Sequence, residues 1–171
     1  MLVPKFHIER MFALIQFEIP GQKKPLTIRS LLLGFSGAIA KDGILIEGVA
    51  ERLQKIAEMG VEIHVITADT NGTAVSQCEG LPLTLEVFNS TDTVRRKREA
   101  ALRLGGEESA AIGNGRSDMG MFETCGLSIA VIGAEGCFLP ALEAAKIVVT
   151  DIRDALDLLI NKNRLSATLR P

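Results

Sequence analysis

Apolar positions along the chain follow two spacings, one typical of strands and one typical of helices. Val49, Leu53 and Ile56 lie at helical spacing, and Gly60 supplies a helix stop. Residues 61–66 alternate apolar and polar before becoming fully apolar, as a strand does on entering a core. The same patterns predict strands at 83–88, 110–113, 127–132 and 146–149, and helices ending near 80 and at 91–104, 117–125, 136–145 and 151–161. Strands that alternate with helices predict an α/β fold: a doubly wound, mostly parallel, Rossmann-like sheet with helices on both faces.

The first thirty residues have a different pattern. Segments 12–19 and 25–33 are rich in β-forming residues and are separated by Pro20, Gly21 and two lysines. They predict an N-terminal β-hairpin over 12–30, whose second strand leads into the main sheet. Residues 1–11 have no clear period, so we expect them to be disordered or to precede an alternative start at Met11. We expect one domain over 1–171, without an insertion long enough to form a cap domain.

Composition narrows the classes of function. The 171 residues are 47% hydrophobic and 23% charged with a net charge of −2, which is typical of a globular domain. The absence of Trp and Tyr from the sequence argues against nucleic-acid binding, and no apolar run reaches the ~18 residues of a membrane span.

The few cysteines and histidines predict no metal centre. Cys78, Cys125 and Cys137 have no Cys-x-x-Cys spacing, so we expect free thiols in a reducing cytoplasm. His7 is far from His64 in sequence, and we interpret His64 as a hydrogen-bonded packing residue of a strand.

Three strand ends carry polar or glycine-rich turns. Residues 31–37 (LLLGFSG) and 110–118 (AAIGNGRSD) are buried strands that run into such turns, which is where α/β enzymes place their chemistry. Thr67 follows a third strand, and its hydroxyl can donate a hydrogen bond to a phosphate oxygen. Alternatively, Thr67 or Asp69 caps the next helix, and the residues alone favour that reading.

Together, Gly34–Gly37, Thr67–Asp69, Lys97 and Gly113–Asp118 stand in the order of the four motifs of the haloacid dehalogenase superfamily. The resemblance spans about residues 28–160 and is closest to small, soluble proteins that are similar to P-type ATPases. It implies an Asp nucleophile at the end of the first strand, a second acid two residues later, and late acids that hold magnesium. In this chain those first two positions are Gly34 and Ser36, so the catalytic positions are degenerate.

These departures predict the loss of catalysis. Glycine cannot act as a nucleophile, and the Ser36 hydroxyl cannot replace a carboxyl group as a proton shuttle, so we assign no catalytic residue. At the metal positions stand Asn114 and Asp118, for which we expect weak magnesium binding or none, and Asp118 is equally well read as a helix-initiating residue. No other cofactor is expected. The nearest remaining carboxylates, Asp42 and Asp69, are predicted to be structural residues of turns and caps.

The remaining donors predict an anion site. The resemblance implies phosphate binding by Ser36, Gly37, Thr67 and Lys97, with Arg96 and Arg98 as alternatives to Lys97 within one basic run. The favoured hypothesis is a silent protein that binds a phosphorylated small molecule or a protein partner.

Two alternatives remain open. One is a weak magnesium-dependent phosphohydrolase, in which Asp69 or Asp118 assists an attacking water. The other is a structural homo-oligomer whose interface includes the apolar hairpin residues Phe12, Phe17 and Ile44.

Overall fold

The protein is described by a computed structural model that covers residues 14–89 and 91–171. The strands are β1 (Ile15–Phe17), β2 (Leu26–Ile28), β3 (Ser30–Leu33), β4 (Ala40–Lys41), β5 (Ile44–Leu45), β6 (Glu62–Thr67), β7 (Thr84–Val87), β8 (Ser109–Gly113), β9 (Leu127–Val131) and β10 (Ile147–Val149). The helices are α1 (Val49–Glu58), α2 (Ala74–Cys78), α3 (Thr93–Arg103), α4 (Met119–Phe122), α5 (Leu139–Ala144), α6 (Ile152–Ile160) and α7 (Lys162–Thr168). Short 3-10 turns lie at Gly106–Glu108 and Arg116–Asp118.

Six parallel strands form the central sheet in the order β10-β9-β8-β3-β6-β7. The chain starts this sheet at β3 in the middle, builds outward through β6 and β7, and then returns to build outward from β8. The order in which the chain adds strands therefore reverses between β3 and β8, which makes this position the topological switch point of the sheet. Just beyond β3, the N–H of Gly34 donates to the carbonyl of Ile112 at 2.9 Å. Open α/β sheets bind ligands at the carboxyl ends of the strands at such a switch point. The predicted doubly wound fold is confirmed.

Both faces of the sheet are covered because side chains alternate along each strand. Leu31 and Leu33 of β3 point into a core that includes α1, α6 and the N-terminal hairpin. Leu32 points to the opposite face, into a smaller core that includes residues of α3, α4 and α5. Fully buried parallel strands need apolar residues at every position, which explains why β3 reads as a continuous apolar run.

The N-terminal hairpin is present but shorter than predicted. Strands β1 and β2 pair antiparallel, and the chain bends at Arg29 before β3 joins the central sheet. Phe17 is fully buried in the core, so the prediction that it forms an exposed interface was wrong. Its apolar ring belongs to the same buried cluster as Ile15 and Ile28 of the hairpin. Phe12 lies outside the described residues, whereas Ile44 is 58% exposed.

One local prediction is confirmed, and one short helix was not predicted. The prediction that Asp42 is a structural residue of a turn is confirmed, since Asp42 and Gly43 have φ angles of 51° and 76° between β4 and β5. Helix α7 was not predicted, because its short segment buries only Leu165 and shows no repeated apolar spacing.

Within residues 14–89 and 91–171, no helix combines the length and apolar character needed to cross a membrane.

His64 is buried in β6, but it is not the hydrogen-bonded residue that we expected. Neither ring nitrogen has a hydrogen-bond partner among the described residues. The nearest carboxylates are Glu62, 3.7 Å from Nε2, and Glu86, 4.0 Å from Nδ1. The pKa of the imidazole is lowered overall, because the effect of burial is larger than the opposing effect of these two carboxylates. The ring packs against the sheet without a matched acceptor because its neighbours stand slightly too far away.

Candidate functional site

The loop after β3 forms the first wall of the site. Gly34 directly follows the strand and lies close to Asp118: a Cβ atom at position 34 would lie 3.1 Å from Asp118 Oδ1, closer than an ordinary van der Waals contact. Gly37 has a φ of +75°, and a Cβ there would overlap the Asn114 amide, so this turn requires glycine. The Ser36 hydroxyl oxygen is buried, and the described residues offer it no hydrogen-bond partner.

The loop after β8 forms the second wall and is organised by Asp118. This side chain is 2% exposed, and its Oδ2 accepts hydrogen bonds from the N–H groups of Asn114 and Gly115, both at 2.9 Å. Gly113 is required beneath it, since a Cβ there would lie 2.3 Å from the Asp118 carboxyl carbon. Asp118 directly precedes α4, but its side chain does not cap that helix. It turns back and closes the loop instead.

Lys97 supplies the buried cation of the site. It lies on the inward face of α3, is 4% exposed, and its Nζ donates to Asp118 Oδ1 at 2.6 Å. Arg96 is exposed, and Arg98 is an exposed residue that pairs with Glu123. Of these three neighbouring side chains on α3, the helical period therefore directs only Lys97 inward, towards the sheet. Two buried opposite charges at this distance largely neutralise each other.

Asn114 ties the site to the loop after β9. Its amide nitrogen donates to the carbonyl of Gly136 at 3.0 Å, and the N–H of Phe138 donates to the Asn114 carbonyl at 2.8 Å. Cys137 lies between these two contacts. Burial and the nearby Asp118 carboxylate raise the pKa of its thiol. We had not expected Cys137 here, although β9 is predicted as a parallel strand and its loop must emerge at the same edge.

Thr67 and Asp69 form a turn at the end of β6. Thr67 Oγ1 accepts the N–H of Asp69 at 2.9 Å, and Asp69 Oδ1 accepts the N–H groups of Thr73 and Ala74 at 3.0 and 3.1 Å. Asp69 thus caps α2, as one reading of the sequence predicted, and its carboxylate is committed to that role. The Thr67 hydroxyl keeps its proton available for donation at the same edge of the sheet as Gly34. Asp42 stands in the hairpin turn, where its N–H donates to Glu135 at 2.7 Å.

The residues do not fit the magnesium ion that the family resemblance implies. Magnesium prefers several hard, charged oxygen ligands in an octahedral shell. Gly34 offers no side-chain oxygen, Asn114 offers a neutral amide oxygen in place of a carboxylate, and the Asp118 carboxylate is shared between Lys97 and two N–H groups. Over the described ranges, no group of three His, Cys, Asp or Glu side chains is placed to hold a metal. We therefore derive no metal-dependent step.

Comparison with solved structures identifies the architecture. A Legionella pneumophila protein assigned to subfamily III A of the HAD (haloacid dehalogenase) superfamily hydrolases matches 83% of this chain and 87% of its own, with a TM-score of 0.67 and 20% identity. The fold is that of HAD hydrolases. The deoxy-D-mannose-octulosonate 8-phosphate phosphatase of Haemophilus influenzae, solved with cobalt, matches 84% of this chain and 94% of its own (TM-score 0.65, 13% identity). The corresponding enzyme of Moraxella catarrhalis, solved with magnesium, phosphate and KDO, covers the same shares (TM-score 0.61, 18% identity).

Sequence comparison is less extensive. An uncharacterized protein of Methanocaldococcus jannaschii is 52% identical over 60 residues, which are 35% of this chain. The match spans 64% of that relative's length. No family model matches the sequence. At the identities given above, the likeness to the HAD structures concerns the fold.

Proposed function

We propose that this protein is a catalytically silent member of the HAD fold, which binds a phosphorylated small molecule without hydrolysing it. The observation that carries the proposal is the state of position 34. Gly34 directly follows the strand that leads to the switch point, and the neighbouring Asp118 carboxylate is already bonded to Lys97 and to two main-chain N–H groups.

The absence of catalysis is supported by the hydrogen bonds that already occupy the carboxylates near the site. Covalent phosphoryl transfer needs a nucleophile, and Gly34 has none. A water-attack mechanism needs a general base, but Asp118 is 2% exposed and paired, and Asp69 caps α2. These contacts count against either carboxylate as the base that takes a proton from water, and so support the proposal over the weak-phosphohydrolase alternative.

Anion binding is supported by the unused donors. The Ser36 hydroxyl is buried without a partner among the described residues, and such a group is costly unless a ligand or water bonds to it. The Lys97 ammonium has three protons, of which one bonds to Asp118. With the Thr67 hydroxyl, these donors form the set that we propose for a phosphate group. The N–H of Gly37 already donates to the carbonyl of Ala40 at 2.9 Å, so Gly37 shapes the turn beside this set and adds no free donor.

The fold neighbours support the same ligand class, because two of them are phosphatases named for a phosphorylated sugar acid. The finer resemblance to small proteins similar to P-type ATPases, and a cytoplasmic location, belong to this proposal as well. In this view the chain keeps a phosphate-binding scaffold and has lost the carboxylates of the reaction.

Measurements of hydrolysis and of melting temperature test the proposed absence of catalysis. We expect no magnesium-dependent hydrolysis of p-nitrophenyl phosphate by the wild type. Gly34→Asp places a carboxylate against Asp118, so we expect a lower melting temperature in EDTA and partial recovery with magnesium, which relieves the repulsion between the two acids. Gly34→Asn is the matched control: it has nearly the same size but no charge, and its melting temperature should not respond to magnesium. Wild-type turnover that disappears in Asp118→Ala would refute the proposal.

Ligand binding is tested separately by thermal shift. Inorganic phosphate and glycerol 3-phosphate should raise the wild-type melting temperature equally with magnesium and with EDTA. At a ligand concentration about 100 times Kd, linkage predicts about 2.7 kcal/mol of stabilisation. Ser36→Ala should reduce this response because it removes a proposed donor, whereas the exposed Ser76→Ala should not. No shift with any phosphate compound would contradict the small-molecule version and leave a protein partner as the remaining form of the hypothesis.

A further inference from the structure

Arg116 is an exposed arginine in the turn that Asp118 closes, and it is held by an aromatic ring. Its guanidinium carbon lies 4.8 Å from the centroid of the Phe138 ring. Among the described residues no carboxylate forms an ion pair with it, whereas Arg98 and Arg103 of α3 pair with Glu123 and Glu86. A guanidinium over a ring face keeps its N–H groups for other partners, and the side chain of Arg116 is exposed.

Both partners of this stack belong to the loops of the candidate site. Arg116 follows Gly115, whose N–H bonds to Asp118, and the N–H of Phe138 bonds to the Asn114 carbonyl. The stack therefore joins the loops after β8 and β9 at the carboxyl-end edge of the sheet, next to the switch point between β3 and β8. Lys97 and Asp118 compensate each other, so Arg116 gives this group of three side chains its net positive charge.

We propose that Arg116 is a specificity-determining residue that binds a second anionic group, a carboxylate or a phosphate, of the phosphorylated ligand. This inference rests on the proposed function and adds the class of ligand. A planar guanidinium matches the two oxygens of a carboxylate or phosphate with parallel N–H bonds, which a lysine cannot do. Pre-orientation by Phe138 reduces the side-chain entropy lost on binding.

Matched ligand pairs test the proposal by calorimetric titration. One pair is 2-phosphoglycolate and glycerol 3-phosphate, which differ by a carboxylate. The other is fructose 1,6-bisphosphate and fructose 6-phosphate, which differ by a phosphate. In at least one pair we expect the wild type to bind the compound with two anionic groups about tenfold more tightly, the size of one charge-assisted contact. The pair with the larger ratio identifies the second group as carboxylate or phosphate.

Variants separate recognition from structure. Arg116→Met keeps an apolar side chain against Phe138, so it should abolish the ratio while changing affinity for glycerol 3-phosphate by less than about twofold. Arg116→Lys should keep part of the ratio as a point charge. Arg164→Met, which removes an exposed arginine of α7, should keep the full ratio.

The outcomes distinguish the two levels of proposal. If phosphorylated compounds bind, but the wild type shows no preference or Arg116→Met keeps the same ratio, the role of Arg116 is overturned and the proposed function stands. If no phosphorylated compound binds to the wild type, the proposed function fails and this inference fails with it.

Discussion

Lys97→Met should lower the free energy of unfolding by about 3–5 kcal/mol, the cost of leaving one member of a buried ion pair without its partner. Asp118 is 2% exposed, and water cannot replace the ammonium at 2.6 Å from its carboxylate. The two N–H groups that bond to Asp118 stabilise the charge only in part. Urea unfolding at neutral pH measures the change.

The next residue along the chain supplies the control. Arg98 also pairs with a carboxylate, Glu123, but both side chains are 46% exposed, so Arg98→Met should cost less than about 1 kcal/mol. Lys97→Met combined with Asp118→Asn should cost less than the sum of the two single changes, because the double variant leaves no unpaired charge. A Lys97→Met variant as stable as Arg98→Met would show that the pair is not buried as described.

Gly120→Ala should destabilise the protein by about 1–3 kcal/mol or more, although the same change usually stabilises a helix by about 1 kcal/mol. A Cβ atom at position 120 would lie 2.1 Å from the main-chain carbonyl oxygen of Val94 and 2.9 Å from the main-chain nitrogen of Arg98. Main-chain atoms of α3 can yield only if the whole helix moves away from α4. That movement would also withdraw Lys97 from Asp118.

Gly133→Ala is the matched control for this change. Its Cβ would meet only ordinary van der Waals contacts, with Gly37 oxygen at 3.5 Å as the nearest atom, so we expect a change within about 0.5 kcal/mol. Urea unfolding of both variants tests the comparison. A Gly120→Ala variant with wild-type stability would mean that α3 and α4 do not pack as closely as the structure shows.

Much of the fold could be predicted because strands and helices leave strong local patterns. Continuous apolar runs such as residues 31–33 identify buried parallel strands, and their order along the chain predicts a doubly wound sheet. Short elements are harder to predict. Helix α7 buries a single leucine without repeated apolar spacing, so it was not predicted, and the N-terminal hairpin was predicted with a first strand longer than the three residues of β1.

The site was predictable to a different degree for each residue. The missing nucleophile at position 34 could be predicted from the order of the motifs alone, because a glycine has no side chain in any tertiary environment. The choice of Lys97 over its basic neighbours depended on helix phase, which the sequence left open. The role of Asn114 depended on the loop after β9, whose approach to β8 is a long-range contact.

The amino-acid sequence by itself determined the alternation of strands and helices, the glycine at the end of β3 and the loss of the expected carboxylates, because these depend on residue type and local spacing. The tertiary structure alone decided that Lys97 and Asp118 form a buried pair, that Asn114 holds a neighbouring loop, and that Phe138 orients Arg116. Those contacts join segments that are distant in sequence, and only the packing of α3 and the parallel order of the strands bring them together.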